Sequence, residues 1–276
     1  YMSKDLEAFK VDFGMRLDQI ERTGSVTDED HGDVDYYSID DSTNSFAVSL
    51  GRELSDTVNM SIGYANVDRL PSVIELFVNG PHMATGRLET GNPNLKSETS
   101  NNFDITFNYE KGEYYGYASF YVNDVDNYIT LMDEEDDHDG HDGHDDDDHP
   151  AGEPHDPHEN LIHADYVQED AEFDGYEIEF GRTMSLASGE LTLSFGRDVV
   201  NAKFADGHNL PRINPAINVY SLAYEQDDTI FKLSMKDVEK QNDFGEGETA
   251  SEAYQMLDMR LTKRFNINNA GDLKVT

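Results

Sequence analysis

The sequence predicts an all-β chain, part of an antiparallel up-and-down transmembrane β-barrel, with about 10–11 strands present. Three observations carry that expectation. Apolar and polar residues alternate with period two along much of the chain. The links between alternating runs are long and short in strict turn. The polar half of each run carries charges that suit a hydrated lumen, while the apolar half suits lipid.

Phe9, Val11, Phe13, Met15 and Leu17 interleave with Lys10, Asp12, Gly14, Arg16 and Asp18. Val58, Met60, Ile62 and Tyr64 interleave with Asn59, Ser61 and Gly63. Phe103, Ile105, Phe107 and Tyr109 do the same with Asp104, Thr106 and Asn108. Further runs lie at Tyr176–Phe180, Leu191–Phe195, Phe231–Met235 and Leu257–Phe265, with less regular ones at Tyr115–Val122 and Ile217–Tyr224. These give roughly ten strands and the start of another near Leu273.

Short links join pairs at Leu54–Thr57, Lys111–Glu113, Leu186–Gly189 and Gln226–Asp228. Between them lie long links at Gln19–Asp35, Asp68–Glu98, Met132–His163, Ala202–Asn214 and Gln241–Ser251. In an up-and-down barrel successive links fall on opposite ends, so all the long loops share one end. In outer-membrane barrels that end is extracellular and the short turns are periplasmic. A soluble sandwich has no reason to sort its loops this way, and structureless loops of about 30 residues are rare in compact domains.

Composition narrows the partners. The 276 residues carry 58 acids against 20 bases, a formal charge of −38. Nucleic acid is excluded, since phosphate binding needs a basic face. Cations or basic proteins suit such a field. There are no cysteines, hence neither disulfides nor thiolate metal sites. No apolar run approaches the roughly 18–20 residues of a membrane-spanning helix. The lipid bilayer therefore enters as a partner only through the strands. No secretion signal opens the chain, which stops inside the run begun by Leu273. Both ends are expected to be cut.

Residues 132–163 concentrate metal-binding chemistry. Seven of the ten histidines fall there: His138, His141, His144, His149, His155, His158 and His163. Aspartates and glutamates surround them, and no Lys or Arg occurs between Gly112 and Gly181. Imidazole nitrogen with carboxylate oxygen suits Zn²⁺, with Cu²⁺ and Ni²⁺ as alternatives, better than Ca²⁺ or Mg²⁺. Histidine's ordinary pKa of about 6.5 leaves most imidazoles neutral at pH 7. Binding must cover the ordering entropy of a segment almost without apolar residues, so weak, multiple, exchangeable sites are expected. The plainer alternative is a solvated acidic loop with incidental histidines. His31 and His208 also lie on long links.

Three motifs bring a family into view. Arg69-Leu70-Pro71-Ser72-Val73-Ile74-Glu75-Leu76-Phe77 leads to Gly80-Pro81-His82-Met83-Ala84-Thr85-Gly86, then to Gly91-Asn92-Pro93-Asn94-Leu95-Lys96-Ser97-Glu98-Thr99-Ser100. Weaker matches follow at Ala171–Glu177 and Leu210–Pro215. This resembles the TonB-dependent receptors, and its His-rich loop is similar to those of the zinc-uptake receptors. The resemblance implies that residues 1–276 are part of one barrel of about 22 strands. It also implies a plug domain and last strands lying outside the sequence, and a Gram-negative outer-membrane location. Import would be driven by the TonB complex through the missing N-terminal region. The substrate would be a metal ion or metal chelate, most naturally zinc, with no cofactor required. It further marks His82 as a metal ligand and His82, Arg69 and Glu75 as substrate-binding residues.

Two other functions remain open. In haem receptors an R-x-P box and an N-P-N-L box flank a haem-ligating histidine, as Arg69–Pro71 and Asn92–Leu95 flank His82; a ferric siderophore is a further variant. Haem propionates would be repelled by so acidic a surface. The second is a non-transporting barrel that sequesters metal at the surface. No H-E-x-x-H, G-x-S-x-G or phosphate-binding glycine loop is present, so no enzyme is expected.

Overall fold

A computed structural model describes residues 1–27, 33–134, 161–267 and 271–276. The elements in order are β1 (Met2–Asp5), β2 (Lys10–Thr27), β3 (Val34–Ser55), β4 (Val58–Arg69), α1 (Val73–Phe77), β5 (Asn79–His82) and β6 (Arg87–Thr90). There follow β7 (Glu98–Lys111), β8 (Tyr114–Asp133), β9 (Ile162–Leu186), β10 (Gly189–Phe204), β11 (Ile217–Gln226), β12 (Thr229–Val238), β13 (Tyr254–Ile267) and β14 (Gly271–Val275). All except α1, β5 and β6 form one antiparallel wall in which each strand pairs with the next along the chain.

The register shows what the alternation achieves. Ile62 stands opposite Ile105, Ile105 opposite Phe120, and Phe120 opposite Tyr176. Further round, Phe180, Phe195, Tyr220, Met235 and Leu257 form one row across five strands. Directly opposed residues share a face, so the apolar sets fuse into one band. Members of this band stay open to their surroundings, as with Phe120 at 46% exposure and Leu257 at 71%. An apolar surface on this scale calls for lipid. The other face is polar: Thr106 faces Ser119 across 2.8 Å and Ser221 lies opposite Ser194, Ser234 being next in the row.

Charges mark the edges of the band. Arg197, opposite Ile178 and Asn218, bonds Tyr176 (3.0 Å) and Asn218 (2.8 Å) and pairs with Glu239 at the long-loop end. Towards the short turns, Arg52 lies 5.1 Å from the Phe9 ring centre and Arg182 5.2 Å from that of Tyr114. Aromatic rings with guanidinium groups suit a membrane–water boundary.

The ends segregate as loop length predicts. Two-residue turns close β3–β4, β7–β8, β9–β10 and β11–β12. Gly112, Ala187 and Asp227 take left-handed backbone (φ 62°, 54° and 47°) at three of these turns, as tight hairpins demand. At the other end the strands overrun the bilayer. β9 has 25 residues, whereas roughly 9–11 suffice to cross. The expected link Gln19–Asp35 is mostly strand, because β2 continues to Thr27 and β3 begins at Val34. Likewise β8 runs through Asp133 and β9 starts at Ile162, so strand trims the expected loop 132–163.

The buried apolar side chains also gather at the long-loop end. Leu76, Leu95 and Ile129 form one cluster, and Ala171, Ala202, Phe204 and Leu210 another. Leu76 and Leu95 lie on the link between β4 and β7, and Leu210 on the link after β10.

Candidate functional site

The link between β4 and β7 is a folded strap. The buried guanidinium of Arg22 on β2 bonds the carbonyl of Pro71 and the carboxylate of Asp41. Ser72 caps α1, accepting from the Glu75 amide at 3.2 Å, while Glu75 Oε2 takes the Ser72 amide at 2.6 Å. Arg69 Nη1 donates to both Glu75 oxygens at 3.0 Å, and its Nη2 reaches Glu98 at 2.9 Å. Arg69 and Glu75 thus brace the strap and spend their charges on each other and on Glu98. Gly91 is required where the chain returns past the helix: a Cβ there would lie 2.6 Å from the Phe77 nitrogen. Gly24 on β2 likewise leaves room for the Phe77 ring.

The far end of the strap carries His82. β5 and β6 form a hairpin, and β6 runs parallel to β9, pairing Arg87 with Ile162 and Thr90 with Asp165. The strap therefore reaches from β2 to the upper end of β9. His82 and Glu89 share a face of the hairpin, since they are diagonal neighbours in its register. His82 Nδ1 sits 2.7 Å from Glu89 Oε1, the imidazole half-exposed and the carboxylate buried. A carboxylate that accepts a hydrogen bond from Nδ1–H fixes the tautomer and leaves the Nε2 lone pair for a ligand.

The hairpin also grips the root of the His/Asp-rich segment. Arg87 clamps Asp133 with two bonds, of 2.6 and 2.7 Å. The Glu134 amide donates to the His163 carbonyl at 2.9 Å. His163 pairs with Leu88, one position out of step with His82 and Glu89, and so occupies the opposite face of this small sheet. His138, His141, His144, His149, His155 and His158 lie outside the described residues, as does His31. Among the described residues, no three His, Asp or Glu side chains gather as a preformed ion cage.

Sequence reasoning missed Glu89, whose signal was the Thr85-Gly86 turn that folds it back toward His82. It marked His208 by its long link but missed Asp206, whose Oδ2 stands 2.6 Å from the His208 Nδ1 on the link after β10.

The family model described as TonB dependent receptor-like, beta-barrel, matches residues 3–276. The fold is similar to that of the copper transporter OprC, with TM-score 0.69 and 18% identity over 94% of this chain and 38% of that one. It is also similar to the ferric yersiniabactin uptake receptor FyuA from Yersinia pestis (TM-score 0.61, 13% identity, 98% of this chain, 41% of that one). The hemophore receptor HasR from Serratia marcescens gives TM-score 0.56 and 13% identity over 93% of this chain and 44% of that one. The chain thus spans about two-fifths of the length of these structures, and at such identities the likeness is one of fold. With nearly every residue inside the matched barrel model, the chain belongs to the TonB-dependent receptor β-barrel family, outer-membrane transporters and receptors of Gram-negative bacteria rather than enzymes.

Proposed function

We propose that this chain is the metal-gathering part of a receptor that imports a transition-metal ion or metal chelate, with zinc the first choice and Cu²⁺ or Ni²⁺ the alternatives. One observation carries the reading. The carboxylate-braced His82 stands on a hairpin that also clamps the root of a segment holding seven histidines. Glu89 fixes the tautomer and orientation of the ring as a ligand. Residues 135–160 would then raise the local ion concentration through weak, exchanging sites, and His82 would receive the ion at the mouth. The chain's formal charge of −38 favours this cargo electrostatically. Energy would come from the TonB complex, acting on parts of the protein beyond this chain.

Haem is the second reading, favoured by the two boxes around His82. Against it, Arg69 of the first box is engaged with Glu75 and Glu98 rather than left for a propionate.

Titration calorimetry of the full-length receptor tests the assignment. His82→Ala is expected to remove the tightest Zn²⁺ event, and Glu89→Gln to weaken it by about 10–100-fold. Unchanged affinity in both variants would remove His82 from the site; a haem spectrum lost in His82→Ala, without any loss of zinc binding, would select the second reading.

A further inference from the structure

A second braced imidazole stands on the link after β10. Gly207 takes a left-handed φ of 95°, letting the chain reverse so that the Phe204 amide donates to the His208 carbonyl at 2.9 Å. Asp206 then works twice: Oδ1 accepts the His208 amide at 3.0 Å and Oδ2 lies 2.6 Å from Nδ1 of the same ring. Buried Phe204 and Leu210 root the turn on either side. The imidazole is thus fixed in tautomer and mounted on a firm base, yet 84% exposed.

The space beside it is much larger than an ion. A cleft of about 600 Å³ opens between this turn and residues 244–246, with Met132, Glu169, Phe204 and Phe244 among its walls. That volume falls within the range of small-molecule sites. A bare divalent ion needs about four ligands, and no third histidine or carboxylate completes such a set among the described residues. A hydrated ion also gains nothing from the Met132 thioether and the Phe244 ring, the latter 38% exposed. The organic part of a chelate can bury itself against just those groups. Glu169 and Asp206 set the charge: a neutral or cationic complex is admitted, and one bearing free carboxylates or phosphates is repelled.

We propose that this cleft binds a neutral or cationic chelate of a divalent transition metal, with His208 Nε2 entering a vacant coordination position. The proposal rests on the metal-import reading and adds the form in which the metal arrives.

The probe is Cu²⁺ carrying one 2,2′-bipyridine, whose remaining positions hold water, with Cu²⁺ alone as comparison. Crystals of the full-length receptor soaked with each are measured at the copper absorption edge. The complex is expected to give an anomalous peak at bonding distance, about 2.0–2.1 Å, from His208 Nε2, with the bipyridine against Phe244. In solution His208→Ala should weaken its binding by about tenfold or more and remove that peak. An empty cleft, or equal occupancy by Cu²⁺ alone, overturns the proposal. A zinc affinity left unchanged by His82→Ala, with the peak intact, would instead count against the import reading alone.

Discussion

Replacing Ile105 by arginine is expected to destabilise the inserted barrel by about 2–4 kcal/mol, while Thr106→Arg, one residue along, costs less than about 1 kcal/mol. Ile105 lies in the apolar row between Ile62 and Phe120, so a guanidinium there must sit in hydrocarbon or drag water inward. Thr106 lies between Ser61 and Ser119 on the opposite face, with Glu177 next in the same row. A cation there meets water and a carboxylate. Urea-dependent folding of the full-length protein into lipid vesicles measures the difference. Equal costs, or a larger one at Thr106, would mean that the two faces have been exchanged.

Removal of residues 135–160 is expected to abolish most of the zinc-binding capacity while the single event at His82 survives. Six histidines and most of the nearby aspartates go with that segment. Because the Arg87–Asp133 clamp and the Glu134–His163 bond lie outside the deletion, the strand ends should hold their positions. Equilibrium dialysis at pH 7 should show several micromolar-class equivalents lost. The intact receptor should lose the same equivalents at pH 5, where imidazoles protonate around their ordinary pKa of about 6.5. A deletion variant with undiminished capacity would make the segment a solvated acidic loop and nothing more.

The wall was legible in the sequence because one face of it meets lipid. Phe103–Tyr109 alternates sharply, as does its partner Val58–Tyr64. Above the bilayer both faces meet water and the signal disappears, which is why Glu21-Arg22-Thr23-Gly24-Ser25 reads as a loop although it pairs with β3. β1 was illegible for another reason: four residues without alternation become a strand only by pairing with β2. The Ser72–Glu75 capping box marks the start of α1 locally, but a five-residue helix and the short hairpin of β5 and β6 also need tertiary contacts, the buried Arg22 and the edge of β9. The candidate site divides in the same way. Histidines announce themselves by type, and His82 was marked by its motif. Glu89, Asp206 and the clamp on Asp133 are ordinary acids until the fold places a donor beside them.

Uptake by whole cells bears most directly on the proposed role. Cells expressing the full-length receptor should accumulate radiolabelled zinc only when the TonB complex is energised, and His82→Ala together with removal of residues 135–160 should bring accumulation to the level of cells without the receptor. Accumulation that persists in the double variant, or uptake confined to ferric siderophore or haem, would contradict the metal-gathering mouth.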